Sequence, residues 1–137
     1  LLIARTRALN NNHIATFNLP SDPAIVAQAR QHTTTQLTTW HLDDTTTFTT
    51  ELIVSELVTN AIRYGHPPIQ LRLIHHNHTL TTEVSDTSNT TPHMRRARTY
   101  DEGGRGLLLI AQLAQRWGTR HTPTGKTVWT EQTLTPN

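Results

Sequence analysis

The sequence predicts an α+β fold, a two-layer sandwich in which a mixed, mostly antiparallel sheet carries three helices on one face. Residues 69–75 alternate apolar and polar side chains, Asn77 offers a turn, and residues 80–85 form a second strand-like run, a pattern typical of a β-hairpin. Residues 25–40 and 44–64 instead repeat apolar side chains at helical spacing. Mostly antiparallel strands that place their helices on one face form a sandwich of this class.

Helix boundaries are marked by residues that satisfy or end the helical backbone. Ser21-Asp22-Pro23 is a typical start, because a capping side chain precedes a proline in the first turn. That first helix should end near Trp40. Asp43 and Asp44 place negative charge at the positive end of the second helix. We expect Gly65 to end the second helix in the left-handed conformation that glycine favours.

The rest of the chain completes one domain over residues 14–133, after a loose N-terminal segment at residues 1–13. The predicted order is strand, two helices, two strands, a long loop, a helix and two strands. The loop is polar and long enough to suggest a functional role. The remaining predicted elements are a strand at 14–19, the loop at 86–105, a helix from Leu107 to Trp117 and strands near Trp117–His121 and Lys126–Thr133.

Composition excludes several classes of function. The 137 residues carry a formal net charge of only +2 and contain no cysteine, so disulfides and thiolate metal sites are absent. No apolar run approaches the ~20 residues that span a bilayer, and residues 1–4 are too short for a signal peptide. We therefore expect a cytoplasmic protein that does not insert into a membrane. The one dense basic run, Arg95, Arg96 and Arg98, is too small for a nucleic-acid stripe.

The second helix carries the strongest candidate for chemistry. Glu56 and Asn60 are four residues apart and therefore share a face, which Leu52 and Ile53 border. A carboxylate and a carboxamide on one face can hold a hard cation through oxygen, and the glutamate could also accept a proton. The alternative is structural: Glu56 pairs with an arginine, such as Arg63 or Arg72, and Asn60 bonds a neighbouring strand.

Two further segments suit a nucleotide. Asp86 ends a strand, where it could accept a hydrogen bond from an exocyclic amine, although aspartate is also a common turn residue. Gly103-Gly104-Arg105-Gly106 immediately precedes the third helix, so free backbone N–H groups and an arginine could bind phosphate. A flexible hinge would explain the same glycines equally well.

The remaining motifs are weaker. Gly125-Lys126-Thr127 resembles the end of a Walker loop, but no helix follows it, so we reject that reading. Thr127 could direct its hydroxyl group into the site, or it could be an ordinary strand residue. The histidines at the predicted hairpin, His75, His76 and His78, could bind a transition metal, although a polar surface turn explains them more simply.

In this order, the motifs resemble the Bergerat-fold ATP-binding domain of the GHKL group over residues 14–132. More narrowly, the chain is similar to the small anti-sigma-factor serine kinases of Gram-positive bacteria and their actinobacterial relatives. The segment that carries most of the resemblance is Glu51–Gly65, which matches the N box of the family. The resemblance implies ATP and Mg²⁺ as cofactors, with Asn60 coordinating the metal ion and Glu56 acting as general base.

The resemblance also assigns the remaining contacts to the nucleotide. It implies that Asp86 accepts a hydrogen bond from the adenine amino group and that residues 87–103 form a lid. Ser88 is a departure, because the family pattern has glycine at that position. By the same resemblance, Arg63 contacts phosphate and Thr127 is the strand threonine near adenine. The phosphates would contact the segment made of Gly104, Arg105, Gly106 and Leu107.

The function that the resemblance implies is that of a serine/threonine protein kinase. Such a kinase phosphorylates an anti-anti-sigma partner and sequesters a sigma factor when free of it. The narrower family tends to form homodimers. The alternative hypothesis is a non-catalytic switch, in which ATP only changes the choice of protein partner. Neither hypothesis involves direct binding to nucleic acid.

Overall fold

The computed structural model describes residues 13–88, 110 and 112–134. Two long helices and five strands are defined within these residues. In chain order they are β1 (Ile14–Leu19), α1 (Ile25–Thr39), α2 (Asp44–Tyr64), β2 (Ile69–His76), β3 (Thr79–Asp86), β4 (Arg116–Thr122) and β5 (Gly125–Thr133).

The five strands form one sheet in the order β1-β2-β3-β5-β4. Each of these neighbouring pairs is antiparallel, so the described sheet is not mixed, and the predicted two-layer α+β architecture is confirmed. The β3–β5 register pairs Asp86 with Lys126 and Ser85 with Thr127. Because side chains alternate between faces along a strand, this register decides which residues share a face with Asp86.

Both long helices cover the same face of the sheet. Leu71 and Leu73 of β2 are fully buried there, as are Ile53 and Val54 of α2. The helices also bond to each other, since Arg30 Nη1 donates to Ser55 Oγ at 2.8 Å. The core therefore lies between one helical layer and one sheet face, and α2 crosses the central strands.

Threonine-rich helices are stabilised here by bonds from the threonine side chains to their own helix. Thr33 Oγ1 donates to the carbonyl oxygen of Ala29 at 2.9 Å, and Thr50 Oγ1 donates to that of Thr46 at 2.7 Å. These bonds let threonine bury its hydroxyl group, although threonine is an indifferent helix former. Thr33 and Thr50 are fully buried.

The ends of α2 confirm one prediction and correct another. Asp43 caps the start, where its Oδ1 atom accepts a hydrogen bond from Thr46 N at 2.8 Å. Hydrogen bonds from Thr46 hold the pKa of Asp43 below its usual value. At the other end Gly65 has φ −101° and ψ −169°, which is extended backbone. The predicted left-handed terminator is therefore wrong, and the reason for glycine at this position lies in the site below.

The first and third helices also differ from prediction at their ends. α1 begins after Ala24, which makes no side-chain cap, although Asp22 Oδ1 accepts a hydrogen bond from Ala24 N at 3.0 Å. Most of the predicted helix Leu107–Trp117 and residues 1–12 lie outside the described residues. The predicted end at Trp117 is wrong, because Trp117 belongs to β4. No described helix combines the length and apolar character that crossing a membrane requires.

Candidate functional site

The candidate site lies where the last turns of α2 meet the ends of β3 and β5. A small cavity of about 10 Å³ opens there, which is room for about one water molecule. Four apolar and four polar side chains line it. The lining residues are Leu57, Asn60, Ala61, Tyr64, Val84, Asp86, Lys126 and Val128.

Asp86 lines this cavity and is held by two donors. Lys126 Nζ lies 3.1 Å from Oδ1 and 3.0 Å from Oδ2 of Asp86. The backbone N–H of Ser88 donates to Oδ1 at 2.7 Å. The side chains of Asp86 and Lys126 are only 2% and 5% exposed, so they form a buried ion pair. A buried carboxylate requires such partners, because an isolated charge in this position would be very costly.

Two glycines let the backbone close around Asp86. A β-carbon on Gly65 would lie 2.6 Å from Asp86 Oδ2, and one on Gly125 would lie 2.1 Å from the carbonyl oxygen of Asp86. Thr87 fastens the same region, since its N–H donates to the carbonyl oxygen of His66 at 3.0 Å. The end of α2 is therefore tied directly to the strand end that carries the predicted site residue.

Glu56 and Asn60 lie on the same helix, both half-buried. Asn60 lines the cavity beside Asp86. Arg72, one of the proposed structural partners of Glu56, lies on the outer face of the sheet and pairs with Glu83 at 3.4 Å. The predicted phosphate contact Arg63 is exposed in the last turn of α2. The structure thus brings Asn60 and Asp86 to one cavity.

Thr127 lies on the other face of the sheet from Asp86. Its hydroxyl group is 2.7 Å from that of Ser85, with which it pairs across the strands. The neighbouring residue, Lys126, reaches Asp86 instead. Sequence analysis missed Lys126, although a signal was present: it is the only lysine among the 137 residues, and it sits in a strand with an apolar neighbour two residues later.

Ser88 occupies the position where the family pattern has glycine. It is 3% exposed, and the described residues with positive φ other than glycine are His41, Asn77 and His78. Serine is therefore accommodated in an ordinary backbone conformation. The predicted phosphate segment (Gly104, Arg105, Gly106 and Leu107) and lid residues 89–103 lie outside the described residues.

The histidines near the β2–β3 hairpin form a packed group. The ring of His75 lies 5.6 Å from that of Trp40 and 6.1 Å from that of His13, measured between centroids. Burial lowers the pKa of His75, and the positive charges of His13, His78 and His76 lower it further. Within residues 13–88, 110 and 112–134, no group of three or more His, Cys, Asp or Glu side chains is arranged to hold a metal ion.

Together, the fold and the cavity define a small α+β ligand-binding domain whose site lies between a long helix and the ends of two strands. The family model of the histidine kinase-like ATPase domain matches residues 19–131. The chain belongs to this family, whose members are ATP-binding domains. No curated protein matches the chain.

Solved structures share this fold. One is the SiaB-SiaC complex from Pseudomonas aeruginosa, where the similarity covers 95% of this chain and 96% of the matched chain, with a TM-score of 0.66 and 11% identity. Another is the histidine kinase domain of the blue-light activated histidine kinase EL346 from Erythrobacter litoralis, with a TM-score of 0.50 and 25% identity. That match covers 65% of this chain and 45% of the kinase chain.

Proposed function

We propose that this protein is an Mg²⁺- and ATP-dependent serine/threonine kinase of the anti-sigma-factor type. The observation that carries the proposal is the shared helical face of Glu56 and Asn60, which ends at the cavity formed with Asp86. Family membership supplies ATP as the nucleotide. Asn60 would supply an oxygen ligand of the hard kind that Mg²⁺ prefers.

In the proposed reaction a serine or threonine hydroxyl oxygen of the partner attacks the γ-phosphorus of ATP. The bond between this phosphorus and the bridging oxygen of ADP breaks, and the hydroxyl proton passes to the carboxylate of Glu56. Arg63 and the segment Gly104–Leu107 would hold the phosphates, while Asp86 would accept the adenine amino group. Most of the acceleration would come from positioning and from neutralising the phosphate charge.

The proposed partners are an anti-anti-sigma-type protein, which is the phosphate acceptor, and a sigma factor, which is sequestered. The homodimer implied by the resemblance belongs to the same proposal. The fold is compatible with partner binding, since one similar structure is a complex of two proteins, SiaB and SiaC. The proposed location is the cytoplasm, where sigma factors act.

The first test is calorimetric titration with ATP, ADP and GTP, with and without Mg²⁺. We expect adenine nucleotides to bind and Mg²⁺ to strengthen the binding of ATP. The substitution Asn60→Ala should remove most of the effect of Mg²⁺ while leaving some binding of metal-free ATP. Absence of binding by any nucleotide at millimolar concentration would refute the proposal.

The second test separates catalysis from binding. Purified anti-anti-sigma domain proteins are incubated with Mg²⁺ and ATP labelled at the γ-phosphate, and transfer to serine or threonine is measured. Glu56→Gln should reduce transfer by roughly 10²–10⁴-fold with little change in ATP affinity. Glu51→Gln is the matched control, because Glu51 lies on the same helix but accepts a hydrogen bond from Thr34 of α1.

The second candidate function is the non-catalytic switch, and the buried ion pair between Asp86 and Lys126 favours it. Because an internal side chain competes with the nucleotide for this site, the fraction of protein with bound nucleotide should change with conditions, as a switch requires. For this function, ATP would alter the affinity for the partner, and no phosphate would be transferred. Equal labelling by the wild type and Glu56→Gln would instead remove the role of Glu56 as a base while leaving a kinase.

A further inference from the structure

Lys126 is the feature of the site that the proposed chemistry does not use. It is the only lysine of the chain, against eleven arginines, and it is buried rather than solvated. Lysine is rarely buried unless paired. Its ammonium group contacts both carboxylate oxygens of Asp86, at 3.1 and 3.0 Å. The ammonium group of Lys126 therefore binds Asp86, the residue that is proposed to bind the adenine base.

The carboxylate of Asp86 has little capacity left for a ligand. Ser88 N–H occupies Oδ1, and the Gly65 backbone packs against Oδ2 so closely that a β-carbon there would be 2.6 Å away. Lys126 contacts both carboxylate oxygens, and the Asp86 side chain is only 2% exposed. The cavity between α2 and this ion pair has a volume of only about 10 Å³. A purine is far larger than one water molecule, so it cannot reach Asp86 while the ammonium stays in place.

We propose that Lys126 is a tethered competitor for the nucleobase, whose ion pair with Asp86 closes the base pocket and must open before ATP binds. The inference rests on the proposed function, since it takes ATP as the ligand. An ammonium and an exocyclic amine are both hydrogen-bond donors, and they satisfy the same carboxylate oxygens. The base therefore binds by exchanging one donor at Asp86 for another.

The position of Lys126 lets this exchange occur. It is the second residue of β5 and follows the turn at Pro123 and Thr124, both of which are exposed. A lysine has a flexible four-carbon stem that can carry its ammonium to solvent while the stem stays in contact with apolar surface. The ammonium can therefore leave Asp86 and regain hydration without unpairing the strand.

The apparent affinity for ATP is the affinity of the open pocket multiplied by the fraction of molecules in which the pocket is open. Open states of this kind are typically populated at about 0.1–10%. Removing the ammonium should therefore strengthen ATP binding by about tenfold or more. A lysine that instead helped to bind the base would give the opposite sign, which makes the direction of change decisive.

Calorimetry on Lys126→Met provides the first test, because methionine keeps the apolar stem and removes the charge. We expect a dissociation constant for ATP at least about tenfold lower than that of the wild type. An unchanged or weaker affinity of Lys126→Met, in a variant that is folded by circular dichroism, would overturn the proposal.

The exocyclic amine can be tested from the ligand side. Purine riboside triphosphate resembles ATP but lacks the amino group. The donor to Asp86 should make ATP the tighter ligand in the wild type and in Lys126→Met alike. Because either base requires the ammonium to leave, Lys126→Met should strengthen the binding of both ligands by a similar factor. A gain confined to ATP would show that Lys126 does not close the pocket to purines, and equal affinity of the two ligands would contradict the contact between the amine and Asp86.

A measurement on the unmodified protein covers the case in which Lys126→Met fails to fold. Because the chain has one lysine, ¹³Cε-lysine labelling gives one side-chain NMR signal. Saturating Mg²⁺ and ATP should move this signal towards the position of a solvated lysine. If the wild type binds ATP and the lysine signal does not move, the role given to Lys126 is wrong but the proposed function stands. If neither the wild type nor Lys126→Met binds a nucleotide, the proposed function itself is wrong.

Discussion

Gly65 lies so close to Asp86 that a β-carbon added to the glycine would be 2.5 Å from the Cγ atom of the aspartate. The residue that ends α2 is thus a glycine because the carboxylate of β3 occupies the space where its side chain would be. The contact connects two segments separated by 21 positions in the sequence. It makes the helix end part of the proposed base pocket.

Gly65→Ala should therefore displace Asp86 and weaken nucleotide binding. We expect a loss of roughly 1–3 kcal/mol in the free energy of unfolding, which is typical of overpacking, together with a higher dissociation constant for ATP. Urea unfolding and calorimetry measure the two effects. Gly118→Ala is the matched control: its β-carbon would lie 2.8 Å from Trp129 Cζ2 on the outer sheet face, so it should reduce stability without changing ATP affinity.

Thr50 and Gln132 join α2 to the sheet through a buried hydrogen bond, in which Gln132 Nε2 donates to Thr50 Oγ1 at 2.9 Å. Thr50→Val keeps the shape of the side chain but leaves the amide of Gln132 without this acceptor. We expect a loss of about 1–3 kcal/mol in the free energy of unfolding, measured by urea titration. Thr47→Val, which removes a solvent-exposed hydrogen bond from the Thr47 hydroxyl group to the carbonyl oxygen of Asp43, should change stability by much less. Equal effects of both variants would contradict the role given to the buried bond.

Glu83 organises the outer face of the sheet, which the helices leave uncovered. Its carboxylate accepts a hydrogen bond from Arg120 at 3.0 Å and forms an ion pair with Arg72 at 3.4 Å. The Glu83 side chain is only 8% exposed. Glu83→Gln should lower the free energy of unfolding by about 1–3 kcal/mol, because a buried charge-assisted pair is lost. Glu131→Gln is the comparison, since Glu131 pairs with an Arg116 side chain that is 70% exposed. That variant should lose at most about 1 kcal/mol.

Stability should fall as the pH decreases from about 7.5 to 5, because the pKa of His75 is below its usual value of 6.5 in the folded protein. The unfolded chain takes up a proton at this residue first, so the unfolded state gains relative stability as the pH falls through 6.5. His75→Gln should reduce the slope of unfolding free energy against pH in this range. Asp43 also has a lowered pKa, but its contribution is lost only at more acidic pH, below its usual value of 3.8.

The control for the pH experiment is His121→Gln, because His121 is exposed near the end of β4. Urea unfolding at several pH values gives the slopes for both variants and the wild type. A slope that His75→Gln leaves unchanged would contradict the assignment.

Local patterns in the sequence were sufficient for much of the fold. Alternation predicted β2 because its inward-facing residues, Ile69, Leu71 and Leu73, are buried and apolar, whereas Gln70 and Arg72 face outward. Asp43 predicted the start of α2 because a cap depends only on the next three residues. The predicted end of the third helix at Trp117 was wrong. Its apolar side chain suits an amphipathic helix and a half-buried strand equally well, and only pairing with Thr130 distinguishes the two.

The sequence by itself determined the helix that carries Glu56 and Asn60, the strand that ends at Asp86 and the overall two-layer class. Only the tertiary structure decided that Lys126, and not Thr127, faces Asp86. Alternation along β5 separates these two neighbours onto opposite faces, but the face on which each lies depends on the register between strands 40 residues apart. The same long-range packing places Gly65 against the carboxylate, a contact that no local pattern encodes.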